Sequence, residues 1–275
     1  MERLEAALAK ARQMRQAAMD VSGERAEPAA KVSAAPRADA DWASLPEFRL
    51  DAERAQRFRI TALTGGKDAG PYDMLRARTL RQMKEKNWTR LAITSPEAGC
   101  GKTTISMNLA FSLARQKELR VMLVDLDLRR PALHKALGQS VKSSFWEVLE
   151  RSAPFEDSAR RFGNNLLVAM NNGPARHPAE LLQSTRTIEV LQEIETRWKP
   201  DIVIFDMSPL LASDDNLAFL GNVDCALLIT AAESTTMPNI DISEKELASL
   251  TNVLGVVLNK CRYADETAGY NYGTY

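Results

Sequence analysis

Short apolar runs recur through most of the chain, and they predict its strands. Each run has four or five residues, with Gly, Pro, Asp or Asn at its boundaries. The runs are Leu91–Thr94, Val121–Val124, Leu166–Ala169, Ile202–Phe205, Ala226–Ile229 and Leu254–Leu258. They lack polar alternation, which is typical of strands covered on both faces, and the segments between them are long enough for crossover helices. The pattern predicts an α/β fold with a doubly wound, mostly parallel sheet flanked by helices.

The first 46 residues have a different pattern. Residues 1–20 place Leu4, Ala7, Ala11, Met14 and Ala18 at spacings of three and four, which predicts an amphipathic helix. This helix could lie on its own domain or dock onto another protein, and the sequence leaves both open. Residues 21–46 are rich in Ala, Pro and Ser and predict a flexible linker. We therefore expect a domain at 47–262 and a flexible tail at 263–275.

Composition narrows the class of protein. Of the 275 residues 45% are apolar, which is enough for a sizeable core. Lys plus Arg equals Asp plus Glu at 36 each, so overall charge gives no reason to expect a nucleic acid as partner. Three cysteines make no disulfide framework, and the chain contains neither an 18-residue apolar run nor a secretory signal. We expect a cytoplasmic protein.

A glycine-rich loop between the first predicted strand and a predicted helix is the strongest chemical motif. Its residues are Gly99, Cys100, Gly101, Lys102, Thr103 and Thr104. The glycines allow backbone N–H groups to converge on phosphate oxygens, and the helix N-terminus adds its dipole. Lys102 is predicted to reach the β- and γ-phosphates of a nucleotide, and Thr103 to ligate Mg²⁺. Pro96 stands where this motif usually has glycine, but the half of the motif that carries the chemistry is intact.

Acidic residues end two further predicted strands. Asp125 and Asp127 are two residues apart and could converge on one Mg²⁺ or on an incoming hydroxyl. Arg129 follows and suits either a transferring phosphate or an acidic neighbour. Asp206 ends the fourth run and is the expected direct or indirect Mg²⁺ contact. Asp214 and Asp215, a few residues on, are expected to cap the following helix.

Tyrosines are concentrated at the C-terminus. Four of the five, Tyr263, Tyr270, Tyr272 and Tyr275, lie within the last 13 residues, among glycine and small polar residues. Such a segment discourages packed structure, so the aromatic side chains need a reason other than a core. They could instead pack on their own domain or on a neighbouring subunit.

Together these motifs resemble the bacterial tyrosine kinases, called BY-kinases, that accompany capsule and exopolysaccharide synthesis. The resemblance covers Tyr72 to Tyr275 and includes the Asp-x-Asp-x-Arg motif and the stretch His177–Leu182. It implies a P-loop NTPase fold that binds ATP and Mg²⁺, with Thr103, Asp125 and Asp206 at the metal. It also implies that Asp127 or Asp125 accepts the tyrosine proton and that Asn259 faces the adenine.

The resemblance further implies phosphorylation between subunits of a homo-oligomer, each tail entering the site of its neighbour. The family's oligomerisation motif, Glu-x-x-Arg-x-x-Arg, is matched here only at Arg76. Because the chain has no predicted membrane segment, a separate membrane protein of the chain-length-determinant type is the expected activator. It would hold the kinase at the cytoplasmic side of the membrane.

Two other functions are compatible with a nucleotide-binding loop. One is a partitioning-type P-loop ATPase, in which a lysine stands five residues before the loop lysine; here that residue is Glu97. The other is a nucleotide-binding adaptor of a polysaccharide export complex that has lost phosphoryl transfer. The intact Lys102, Asp125, Asp127 and Asp206 favour an active kinase.

Overall fold

The computed structural model describes residues 39–63 and 65–261. The predicted N-terminal helix, residues 21–38 of the predicted linker and the predicted tyrosine-rich tail lie outside the described residues. Those three predictions therefore stay predictions.

Seven strands form one sheet in this part of the chain. They are β1 (Arg90–Thr94), β2 (Val121–Leu126), β3 (Ala159–Phe162), β4 (Leu166–Ala169), β5 (Ile202–Met207), β6 (Cys225–Ala231) and β7 (Asn252–Asn259). Their order is β3-β4-β2-β5-β1-β6-β7, and every neighbouring pair is parallel except β3 with β4. The predicted doubly wound, mostly parallel sheet is confirmed, and each predicted run lies within a strand.

Helices connect the strands and cover both faces of the sheet. They are α1 (Asp39–Ser44), α2 (Ala52–Arg57), α3 (Gly70–Lys86), α4 (Lys102–Ala114), α5 (Leu133–Leu137), α6 (Phe145–Leu149), α7 (Phe155–Ser158), α8 (Pro178–Gln183), α9 (Thr185–Trp198), α10 (Asp215–Phe219) and α11 (Met237–Leu250). Short 3₁₀ turns precede α3 and follow α10.

Two apolar cores lie on opposite faces of the sheet. Leu91 and Ile93 of β1 belong to one core, and Ala92 between them belongs to the other. Because successive side chains of a strand point to opposite faces, a strand buried on both sides needs apolar residues at every position. This is why β1, β2, β4, β5 and β6 are continuous apolar runs in the sequence. The prediction of two covered faces is wrong for β7, because it lies at the edge of the sheet and leaves Val256 and Leu258 48% and 59% exposed.

Strand β3 is the one that the apolar pattern did not predict. Its sequence is Ala-Arg-Arg-Phe, and only Ala159 is buried, because the strand lies at the edge of the sheet. Its strand neighbour is β4, in antiparallel orientation, and on its other side Arg161 forms only an isolated bridge with Glu47. It can therefore form with few apolar residues.

The predicted linker is too long at its C-terminal end. Residues Asp39–Ser44 form α1, and Trp42 and Leu45 are each only 2% exposed. The Trp42 Nε1–H donates a hydrogen bond to the backbone oxygen of Trp198, 2.7 Å away. The prediction that the linker extends to Pro46 is wrong, because these isolated apolar residues pack against a helix 156 positions later in the chain.

Candidate nucleotide-binding site

The glycine-rich loop leads from β1 directly into α4, as the sequence predicted. Gly99 and Gly101 have φ values of 86° and 95°, a region that favours glycine. A Cβ at Gly101 would also meet the side-chain amide of Asn259, which would have to move away. Lys102 is the first residue of α4, and Thr103 and Thr104 follow in its first turn. The loop and the helix N-terminus thus have the arrangement that binds phosphate.

Lys102 forms an ion pair with Asp127. Its Nζ lies 2.7 Å from Asp127 Oδ2, and the side chains are 13% and 5% exposed. Burial opposes the charge of Lys102, but the carboxylates of Asp206 and Asp127 outweigh it and raise the pKa of the lysine. The lysine is therefore a fixed cation among three acidic residues.

Asp125 and Asp206 lie side by side beneath this pair. They are opposite each other in the register of β2 and β5, and both are fully buried. Burial raises the pKa of each carboxyl group, and for Asp125 the charge of Asp206 adds to the effect. Two neighbouring buried carboxylates are costly without a cation to share.

Each of these two carboxyl groups has one oxygen without a hydrogen-bond partner among the described residues. Asp125 Oδ2 accepts from the amides of Ala132 and Leu133, which leaves Oδ1. Asp206 Oδ1 accepts from the Ser106 hydroxyl at 3.0 Å, which leaves Oδ2. Orphaned, buried carboxylate oxygens are suited to a hard divalent cation or to water bound to it. These residues therefore fit Mg²⁺.

The carboxylates do not form a complete metal site by themselves. No group of three or more His, Cys, Asp or Glu side chains with metal-binding geometry occurs in residues 39–63 and 65–261. Thr103, the other predicted ligand, lies in the first turn of α4, and its side chain acts to lower the pKa of Asp206 against the effect of burial. Mg²⁺ keeps several waters and usually adds substrate phosphates to one or two carboxylates. This donor set therefore suits Mg²⁺ that arrives with a nucleotide.

Arg129 contacts acidic neighbours from the segment after β5. Its Nε and Nη2 donate to the two carboxylate oxygens of Asp215, each at 2.9 Å, and Nη2 also donates to Asp214 Oδ1 at 3.0 Å. The predicted helix-capping role of Asp214 and Asp215 is wrong: Asp214 stands at the N-cap of α10, but no side-chain cap hydrogen bond forms there. The sequence predicted either a phosphate or an acidic neighbour for Arg129, and the structure shows the acidic neighbour. Which aspartates these are could not be predicted, because the partners are about 85 residues apart.

Asn259, predicted to face the adenine, holds the glycine-rich loop. Its Nδ2 donates to the Cys100 backbone oxygen at 2.8 Å. Cys100 is buried, and its Sγ lies 3.6 Å from the Thr235 hydroxyl. Asn259 thus connects the end of β7 to the loop, and its contact with adenine stays a prediction.

Other predicted residues are separate from this cluster. Arg76 donates to Asp73 at 3.0 Å and to the Ser112 hydroxyl at 3.1 Å, all within one chain. Glu97, at the position of the partitioning-ATPase lysine, accepts a hydrogen bond from the Asn239 side chain. The four tail tyrosines lie outside the described residues.

A second concave surface lies away from the site. This groove of about 510 Å³ has an apolar floor that includes Phe155 and Trp198. Arg151 and Arg197 on its rim pair with glutamates of the same surface. None of the predicted site residues lines it. In the described part of the chain, no helix combines the length and the apolar character needed to span a membrane.

Comparison with known proteins agrees with this fold. The family described as the CobQ/CobB/MinD/ParA nucleotide binding domain matches residues 91–272. The MinD septum site-determining protein of Pyrococcus horikoshii, solved with Mg-ADP, superposes with a TM-score of 0.53 at 21% identity, covering 66% of this chain and 75% of that one. This second likeness shows the fold alone. Fold and site together define a P-loop nucleotide-binding protein.

Tyrosine kinases are the more similar relatives. The Bacillus subtilis tyrosine-protein kinase YwqD is 32% identical over 197 residues, 70% of this chain and 79% of that protein. The kinase domain of the Escherichia coli tyrosine kinase ETK superposes with a TM-score of 0.67 at 26% identity, covering 78% of this chain and 84% of that one. The chain belongs to the bacterial tyrosine-kinase family, which confirms the resemblance found in its motifs.

The relatives differ in length. The putative tyrosine-protein kinase EpsB of Ralstonia solanacearum is 29% identical over 194 residues, which are 70% of this chain but 25% of that protein. The chain thus corresponds to a quarter of this longer relative and to most of the Bacillus one.

Proposed function

We propose that this chain transfers the γ-phosphate of ATP to tyrosines of its own C-terminal tail. The observation that carries the proposal is the buried Lys102–Asp127 ion pair beside two carboxyl groups with orphaned oxygens. This cluster places one cation and three acidic groups at the mouth of a phosphate-binding loop. Phosphoryl transfer depends mainly on positioning and on neutralising charge, which such a cluster supplies.

Nucleotide binding falls to the glycine-rich loop and the start of α4. The contributing residues are Gly99, Cys100, Gly101, Lys102, Thr103 and Thr104, with Asn259 on the base side. Thr103, Asp125 and Asp206 hold Mg²⁺, directly or through its water. The bound metal ion supplies charge that stabilises the phosphates during transfer.

Asp127 is the better candidate for accepting the tyrosine proton. Asp125 is fully buried, and two backbone amides already occupy its Oδ2. Asp127 keeps slight exposure, and its Oδ2 accepts a hydrogen bond from Lys102. When Lys102 turns to a phosphate, this oxygen becomes free. A phenol with a pKa of about 10 needs such an acceptor only late in a loose transition state.

The acceptors are Tyr263, Tyr270, Tyr272 and Tyr275, phosphorylated in trans within a homo-oligomer. The names of the relatives support tyrosine as the acceptor class. Regulation of capsule or exopolysaccharide synthesis and export follows from the family resemblance, with a membrane chain-length-determinant protein as activator. That partner would hold the chain at the cytoplasmic side of the membrane.

Neither alternative function is favoured by an observation of its own. In the partitioning-type ATPase the residue at position 97 is a lysine, whereas Glu97 here is engaged by Asn239 of the same chain. An adaptor that has lost phosphoryl transfer would have no need of the Lys102–Asp127 ion pair.

The first test is labelling of the tail by the purified full chain. After incubation with ATP and MgCl₂, a mass spectrum of the C-terminal peptide should show stepwise phosphorylation. Lys102→Met should lower the labelling about a hundredfold or more, because the phosphate loses its cation. Lys142→Met is the matched control: this lysine is 78% exposed and forms an ion pair with Asp157 away from the site. Release of phosphate without phosphotyrosine would favour the ATPase, and neither product even with an activating membrane partner would favour the adaptor.

A mixing experiment tests transfer between chains. A Lys102→Met chain keeps its acceptor tyrosines but has an inactive site. A chain with all four tail tyrosines changed to phenylalanine keeps its active site but has no tail acceptors. Phosphotyrosine on the Lys102→Met chain in the mixture is the expected result. Its absence, with normal labelling of the wild-type chain, would mean that transfer occurs within one chain.

A further inference from the structure

Arg129 joins two segments that carry different parts of the site. It belongs to the turn that follows β2, two residues after Asp127. Its partners, Asp214 and Asp215, lie in the segment after β5, the strand that carries Asp206. We call Arg129 with these two aspartates the Arg129 clamp. The clamp connects the turn beside Lys102 to the segment beyond Asp206.

Asp215 is the central residue of the clamp. Its side chain is 0% exposed, whereas that of Asp214 is 69% exposed. Both oxygens of Asp215 accept from the guanidinium in a bidentate pair, and Asp214 accepts a single bond. A carboxylate that is fully removed from water is costly unless it is paired and hydrogen bonded. The contact with Arg129 meets this need for Asp215, and solvent meets it for Asp214.

The turn that Arg129 belongs to is held by the catalytic carboxylates themselves. The amide of Arg130 donates to Asp127 Oδ1 at 3.0 Å. The amides of Ala132 and Leu133 donate to Asp125 Oδ2 at 3.1 and 3.2 Å. Movement of residues 127–133 would therefore shift the carboxylates that face Lys102. The Arg129 clamp is the side-chain contact from this turn to the β5 side of the site.

We propose that Asp215 is a positioning residue, which acts through Arg129 to fix the 127–133 turn, and with it Asp127, at the nucleotide-binding site. The effect of Asp215 on tyrosine phosphorylation rests on the proposed function. Its effect on the position of the 127–133 turn does not, because the contacts that hold the turn exist without a nucleotide.

The decisive measurement is hydrogen exchange in the full chain without nucleotide. Asp215→Asn removes the buried charge and should speed exchange of peptides that cover residues 127–133 by about tenfold or more, since the turn is no longer fixed and its amides open more often from Asp125 and Asp127. Asp214→Asn is the matched control, and its exposure predicts exchange within about twofold of wild type. Wild-type exchange rates in Asp215→Asn would overturn the proposal.

A double variant separates positioning from loss of stability. Asp215→Asn leaves Arg129 without its buried partner and could unfold the region. Arg129→Gln with Asp215→Asn makes both positions neutral and should melt near the wild-type temperature. Fast exchange of residues 127–133 should persist in it. If the double variant regained wild-type protection, the single variant's effect would be general destabilisation, and the proposal would fail.

Kinetics give the second readout. In Asp215→Asn the kcat for tail phosphorylation should fall about tenfold or more while the KM for ATP stays within about threefold, because positioning acts on the transition state. Equal kcat in this variant and the wild type would overturn the positioning role. A wild-type chain that makes no phosphotyrosine would refute the proposed kinase function instead, and hydrogen exchange would still decide whether Asp215 fixes the turn.

Discussion

The buried carboxyl group of Asp125 is suited to binding a cation, but its charged form lowers the stability of the fold. Burial and the neighbouring Asp206 raise the pKa of its carboxyl group. The folded protein therefore binds this proton more tightly than the unfolded chain does. The resulting stability is fully present below the ordinary aspartate pKa of about 4 and is lost as pH rises through the higher pKa of the folded state.

This loss of stability with rising pH leads to a prediction for Asp125→Asn in the absence of Mg²⁺. The variant should be more stable than wild type at neutral pH, and its gain in Tm, a few degrees, should shrink towards zero as pH falls to about 4. Melting curves from pH 4 to 8 measure the difference. Asp241→Asn, at an exposed position of α11, is the control and should show a small gap that does not change with pH. A constant gap for Asp125→Asn would contradict the buried-charge argument.

Among the elements, the glycine-rich loop has the most specific backbone requirements. Gly99 and Gly101 both have positive φ, so alanine carries a similar backbone cost of about 1–2 kcal/mol at either position. They differ in space, because a Cβ at Gly99 meets nothing within 4 Å, whereas one at Gly101 meets the Asn259 amide. Comparing alanine variants at the two positions therefore separates the effect of the Asn259 contact from the backbone cost.

We predict that Gly101→Ala weakens nucleotide binding about tenfold more than Gly99→Ala does. Titration of a fluorescent ATP analogue measures the two dissociation constants. Asn259→Ala removes the colliding amide, so the double variant Gly101→Ala with Asn259→Ala should bind better than Gly101→Ala alone. Equal losses at the two glycines would mean that backbone conformation, rather than contact with β7, sets the requirement.

For the whole molecule, the domain begins earlier in the chain than its apolar pattern suggests. Trp42 packs into the core that contains Ala92 and donates to the backbone of Trp198. Its ring centroid lies 5.3 Å from the Arg120 guanidinium carbon. Helix α1 is therefore part of the folded unit. Trp42 should contribute as much to the free energy of unfolding as other buried core residues do.

Trp42→Ala should accordingly reduce the free energy of unfolding by about 3–5 kcal/mol. Urea denaturation of the full chain measures the change. Ala43→Ser, at the exposed neighbouring position, should alter it by less than about 0.5 kcal/mol. If the two variants were equally stable, α1 would be dispensable and the domain would begin after Pro46, as the sequence pattern suggested.

Local sequence determined most elements of this protein and indicated the chemistry that they could carry. Continuous apolar runs predict buried parallel strands because both faces of each strand must be covered, and the glycine-rich loop predicts phosphate binding through its own backbone. Lys102, Asp125, Asp127 and Asp206 could be identified because the carboxyl ends of parallel strands meet at one edge of the sheet.

Only the tertiary structure decided which distant residues meet. The pairing of Arg129 with Asp215, the contact of Asn259 with Cys100 and the burial of Trp42 join positions that are 86, 159 and 156 residues apart. No spacing rule relates such residues, because their contact depends on strand order and on how helices cover the sheet. The acidic pair after β5 therefore had the local pattern of a helix cap, and folding made it the partner of an arginine from the turn after β2.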